Sequence, residues 1–124
     1  MNKVVHFEIP TDDLSRAKKF YHETFGWQLQ DVPDMSYTMV RATETDEKWM
    51  PKEPGAINGG MLKRNDAVRA PSFAIDVKNI DEAMEKVKKS GGIIIKGKTS
   101  VGPMGFIAYF KDTEGNVLSL WQNA

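Results

Sequence analysis

The chain opens with Val4-Val5-His6-Phe7-Glu8-Ile9, a β-branched and aromatic run closed by Pro10, and this reads as a strand. A helix is predicted next. Asp12 or Asp13 can accept from the free amides of its first turn, Leu14, Ala17, Tyr21 and Phe25 recur near helical spacing, and Gly26 is placed to end it. The same design returns at Ser72-Phe73-Ala74-Ile75-Asp76-Val77. There Asn79 serves as N-cap with Glu82 three residues on, Ile80, Ala83, Met84 and Val87 form the apolar stripe, and Gly91-Gly92 stops the helix. A single shift of 66 pairs Phe7 with Phe73, Ile9 with Ile75, Asp13 with Asn79, Leu14 with Ile80, Ala17 with Ala83 and Gly26 with Gly92. A strand, a cap, a stripe and a stop rarely align together by chance, so the sequence is an internal duplication.

After each helix the pattern becomes strand-like, at 27–31, 37–41 and 57–63 in the first half and at 93–96, 105–111 and 117–122 in the second. The predicted class is α+β, with two βαβββ units at about 1–66 and 67–124 forming a single domain. Residues 43–55 are polar, carry two prolines and are expected to be a surface loop.

Composition narrows the function. With 124 residues the chain has room for one domain, and its 17 basic and 17 acidic residues cancel, which removes the driving force for binding nucleic acid or an acidic membrane surface. No cysteine is present, so thiolate chemistry and disulfides are excluded. No apolar run approaches the roughly 20 residues of a membrane span. The expectation is a cytoplasmic protein whose partners are small molecules.

Three separated segments, HFEIPTDDLSRAKKFYHETFGW, INGGMLKR and KDTEGNVLSLWQ, together with the duplication, resemble the vicinal oxygen chelate superfamily, which includes glyoxalase I, bleomycin-binding proteins and extradiol dioxygenases. The resemblance covers essentially the whole chain. It implies two units side by side, a curled mixed sheet around a cleft, helices outside, and a homodimer. Family members that do chemistry hold a divalent metal through a His on the first strand of one or both units and an acid on each last strand. Carried over, His6 falls on the first ligand position and Ser72 on its equivalent, while the two acids fall on Gly60 or Met61 and on Ser119. One ligand of four is retained, and one imidazole holds a divalent ion only weakly. Neither a metal nor another cofactor is expected.

Strand alternation puts His6 and Glu8 on one face, with Phe7 and Ile9 toward the helix. Ser72, Ala74 and Asp76 follow the same rule, as do Val117, Ser119 and Trp121. His6 and Glu8 read either as a hydrogen-bonded pair lining a pocket or as a proton-transfer pair. Met61, Ser72, Ser119 and Trp121 join them as candidate ligand contacts, with Trp49 on the polar loop. His22 reads as a surface residue, and Asp112-Thr113-Glu114-Gly115-Asn116 as a turn, because its acids lack the alternation of a calcium loop. Gly59-Gly60 is followed by no helix and is no phosphate cradle; it is expected to leave open space above the sheet.

The leading expectation is a metal-independent module that binds a small, partly apolar molecule. The alternative is a glyoxalase-like lyase or isomerase acting through His6 and Glu8 or through a non-standard metal set.

Overall fold

The computed structural model describes residues 1–124 and has the element order of two βαβββ units. The chain divides into two compact units, residues 6–71 and residues 72–124 joined by Met1–Val5.

In the first unit, β1 (Val4–Thr11), α1 (Leu14–Phe25), β2 (Gln28–Val32), β3 (Tyr37–Arg41) and β4 (Gly59–Lys63) follow one another, and the strand order is β2-β3-β4-β1. β1 and β4 are parallel, with Phe7 opposite Gly59 and Glu8 opposite Gly60, while β3 is antiparallel to both β2 and β4. β1 runs through Pro10 to Thr11, two residues past the predicted stop. Pro10 pairs with Leu62 one residue from the strand end, where a missing N–H is tolerated. Asp13 is the N-cap of α1, accepting from the Arg16 amide, and Asp12 instead binds Arg64 at 2.9 Å. Gly26 ends the helix at φ 73°, in the left-handed region that glycine adopts without penalty.

Against the sequence expectation, no residue of α1 is buried, and Phe25 is 59% exposed. The helix meets its sheet through stacked rings. Tyr21 lies flat on Trp27, with centroids 5.0 Å apart, and Trp27 in turn contacts Phe7 at 5.6 Å. Val40, Met61 and Val68 are its buried apolar residues.

The second unit repeats the plan with β5 (Ser72–Asp76), α2 (Ile80–Lys89), β6 (Ile93–Ser100), β7 (Gly105–Lys111) and β8 (Val117–Asn123), in the order β5-β8-β7-β6. β6 extends four residues beyond the predicted stretch, through register shifts against β7. Lys3 closes this unit at its start by accepting from the Asp76 amide at 2.9 Å. α2 begins as predicted, with Asn79 accepting from the Glu82 amide. Its core is one continuous apolar cluster. Ile80, Ala108, Phe110 and Leu120 are buried, with Ile75, Val77, Ala83, Met84, Val87 and Leu118 packed around them. Phe73 belongs to the helix side by alternation but is 40% exposed, at the start of β5 and outside this cluster. No helix is long and apolar enough to cross a membrane.

Ile80 has no exposed surface and starts α2, its amide donating to Gln122 Oε1 at 2.8 Å. Ile80→Ala is expected to destabilise the protein by about 2–5 kcal/mol, the usual cost of an aliphatic core cavity. Urea denaturation measures it; a loss below about 1 kcal/mol would show that α2 does not anchor this core.

Candidate functional site

The parallel ladders fix what alternation alone left open. Glu8 stands opposite Gly60 in the first unit, and its duplicate position Ala74 stands opposite Ser119 in the second. Gly60 and Ser119 are therefore equivalent, and Gly60, not Met61, occupies the position of the family's first acid. Met61 pairs with Ile9 and Thr38, faces the α1 side and is fully buried. This removes it from the face that carries His6, and corrects its place among the candidate ligand contacts.

On the His6 face of the first unit, pairing brings together His6, Glu8, Gly60, Tyr37 and Met39. Tyr37 was not singled out by the sequence. Its hydroxyl and His6 Nε2 share a hydrogen bond of 2.7 Å, and the two rings stack at an interplanar angle of 17°. A Cβ built on Gly60 would overlap the Tyr37 ring and hydroxyl, so the phenol fills the space in which a carboxylate side chain would stand. The open space expected above Gly59-Gly60 is thus occupied: Phe7 covers Gly59 on one face and Tyr37 covers Gly60 on the other. Glu8 is 2% exposed.

Burial pushes the His6 imidazole down to about 4, so at neutral pH it is uncharged. A neutral imidazole offers one donor and one acceptor nitrogen, and a phenol can serve either. The pair is consequently able to hold a ligand hydroxyl or carbonyl.

The second unit treats its equivalent positions differently. Ser72 donates to the Val117 carbonyl at 2.8 Å, and Ser119 Oγ is buried without a hydrogen bond. Tyr109 stands opposite Ser119, and Ile107 opposite Trp121, on the face away from α2. Trp121 is half-buried and donates from Nε1 to Asn123 at 2.9 Å.

Trp49 sits on the 43–55 loop, 75% exposed, with its ring 5.8 Å from the Arg41 guanidinium. His22 is exposed and bonded to the Trp27 carbonyl, as a surface residue. Asp112 closes a turn, accepting from the amides of Glu114 and Asn116, and Gly115 takes φ 84°. The Asn116 amide foremost holds the Asp112 carboxyl below its usual range.

The four family metal positions hold one imidazole, one glycine and two hydroxyls, at His6, Gly60, Ser72 and Ser119. No three His, Asp or Glu side chains converge anywhere in the chain. These residues do not fit a divalent metal, which needs several imidazole or carboxylate donors.

Comparison with known proteins agrees with this fold. The bleomycin resistance protein-like N-terminal family model matches residues 3–42. A glyoxylase-like domain-containing protein of Didymella fabae is 32% identical over 111 residues, 88% of this chain and 84% of that protein. A lactoylglutathione lyase of Haemophilus influenzae is 26% identical over 125 residues, 98% of this chain and 93% of that protein. Among solved structures, a methylmalonyl-CoA epimerase of Streptomyces coelicolor, in complex with 2-nitronate-propionyl-CoA, superposes with a TM-score of 0.69 at 17% identity, covering 100% of this chain and 99% of that one. The chain belongs to the glyoxylase-like family.

The His6 shift carries a stability signature. Above pH 6.5 the imidazole is neutral folded and unfolded, and contributes nothing; between 6.5 and 4 the unfolded chain binds a proton that the folded chain refuses, so stability falls with pH. The loss levels at roughly 3 kcal/mol below the folded value. His6→Gln should flatten this window in urea midpoints compared across pH. Parallel curves for the two proteins would mean that His6 is not held neutral.

Proposed function

We propose that the protein binds a small, partly apolar molecule on the sheet face bearing His6, Glu8, Tyr37 and Met39, without the family's usual metal. The observation that supports this best is Tyr37, whose hydroxyl occupies the place of the first acid and engages the retained imidazole. A ring nitrogen bonded to a phenol presents hydrogen-bonding capacity to a ligand, and Met39, 37% exposed, adds an adaptable apolar surface beside it. In the second unit, Trp121 and Ile107 supply a comparable aromatic and aliphatic face, with Ser72 and Ser119 as its small polar positions. The acyl-CoA derivative bound to the epimerase illustrates the kind of small molecule this fold accommodates. A cytoplasmic homodimer belongs to the same reading.

A second reading, a glyoxalase-like lyase or isomerase, draws on the same pair. Its support is the uncharged imidazole, which keeps an acceptor lone pair on one ring nitrogen at pH 7, with Glu8 two residues away on the same strand face.

Calorimetric titration with Ni, Zn, Mn and Fe tests the first reading. No stoichiometric binding is expected; binding that His6→Ala abolishes would overturn it. A thermal-shift and tryptophan-emission screen of aromatic and aldehyde-derived compounds should give binders that Tyr37→Phe weakens by about tenfold, the value of one hydrogen bond to a buried partner. Turnover of a hemithioacetal, lost in both His6→Gln and Tyr37→Phe, would establish the second reading.

A further inference from the structure

Apart from the His6 pair, the first unit carries a concavity of about 420 Å³, at the ends of β2 and β3 and the start of the 43–55 loop. Arg41, Lys52, Gln28, Thr43 and Thr45 line it, with Glu44 as its one acid. Arg41 and Gln28 share the sheet face of Tyr37 and Met39 but lie at its far end, and none of the lining residues is among those named for the candidate site. The volume lies within the range of small-molecule sites.

Its polar groups converge on one cation. Arg41 donates to Gln28 Oε1 at 3.2 Å and to Thr45 Oγ1 at 2.8 Å. A guanidinium has five N–H donors in a planar fork, so the two neighbours orient it and most of its donors stay available. Lys52 faces Glu44 at 3.9 Å, with the Glu44 side chain 88% exposed, and such a loose surface pair is worth little. The lining is therefore net positive, and an incoming anion would displace Glu44 from Lys52 at small cost.

The loop beside it is rigidly tied. Asp46 Oδ1 accepts from the amides of Lys48 and Met50, and the Asp46 amide donates to the Met50 carbonyl at 2.8 Å. This closure holds Trp49 at φ 63°, a conformation that bulky side chains rarely adopt and that clusters at ligand clamps. In this conformation the indole stands 5.8 Å from the guanidinium and is 75% exposed.

We infer that this groove is a binding site for a small organic anion, a carboxylate or phosphate carried on a flat apolar group, with the anion on Arg41 and Lys52 and the flat group against Trp49. Titration of the intact protein with phenyl phosphate, benzoate and neutral benzyl alcohol, followed through backbone amide signals, tests it. Both anions should shift the amides of Gln28, Arg41, Thr43, Thr45 and Lys52, with dissociation constants of about a millimolar or below. The tighter of the two identifies the anion class. Arg41→Gln should weaken both by about tenfold, and Arg41→Lys less, since it keeps charge but loses the fork. Trp49→Ala should weaken both phenyl compounds but not inorganic phosphate. The inference is overturned if neither anion shifts these amides by about 10 mM, if benzyl alcohol binds equally well, or if Arg41→Gln binds like the parent. A negative result here leaves the metal titration and the Tyr37 variant unaffected, so the two sites fail independently.

Discussion

The first unit is organised around two residues without side chains. Gly59 and Gly60 lie opposite Phe7 and Glu8 in the parallel ladder, and a Cβ on either would strike an aromatic ring. Because the pleat sends successive positions to opposite faces, the two bare positions accept one ring on each side of the same strand. Phe7 lies over the first and leads through Trp27 to Tyr21 of α1. Tyr37 lies over the second and reaches His6. Helix attachment and site chemistry thus share one backbone requirement, and a larger residue at either glycine would force a ring out of place on its own face.

The duplication makes the contrast between units informative. Registers equate Gly60 with Ser119, and the shift of 66 equates His6 with Ser72. In the first unit these positions hold a neutral imidazole bonded to a phenol; in the second, one hydroxyl is satisfied by a backbone carbonyl and the other is buried with none. An unmatched buried hydroxyl costs about 1–3 kcal/mol, so the second unit's stability rests elsewhere, on the apolar cluster that α2 packs over β7 and β8. The first unit has no such cluster under α1, and its polar pair and rings carry relatively more of its order.

Much of the frame was legible in the sequence. Strands at 37–41 and 105–111, the Asn79 cap, the Gly26 stop and the duplication emerge from local patterns, because caps and alternation are short-range physics, while the choice between Asp12 and Asp13 did not. What stayed hidden depended on pairing between distant strands. Alternation placed His6 and Glu8 on one face, but only the β1–β4 and β3–β4 registers put Tyr37 over Gly60 and turned Met61 inward. The sole local hint of Tyr37 was its spacing of two and four from Met39 and Arg41. α1 misled for a related reason: helical spacing of Tyr21 and Phe25 suggests an inward stripe, whereas the intervening ring of Trp27 takes the contact.

That same spacing links the two chemistries of this unit. Tyr37, Met39 and Arg41 alternate onto one face of β3, so the backbone positions that carry the phenol and the guanidinium are about 13 Å apart along the strand, with the thioether-bearing Met39 between them. Burial forbids charge at one end, where the imidazole stays neutral, while the other end concentrates two cations against one loosely held acid. A chain whose 17 basic and 17 acidic residues cancel nonetheless grades from uncharged to cationic along one strand. Net charge therefore rules on long-range steering of polyanions but not on a small anion, whose partner is set within a few ångströms by which side chains the pleat presents together.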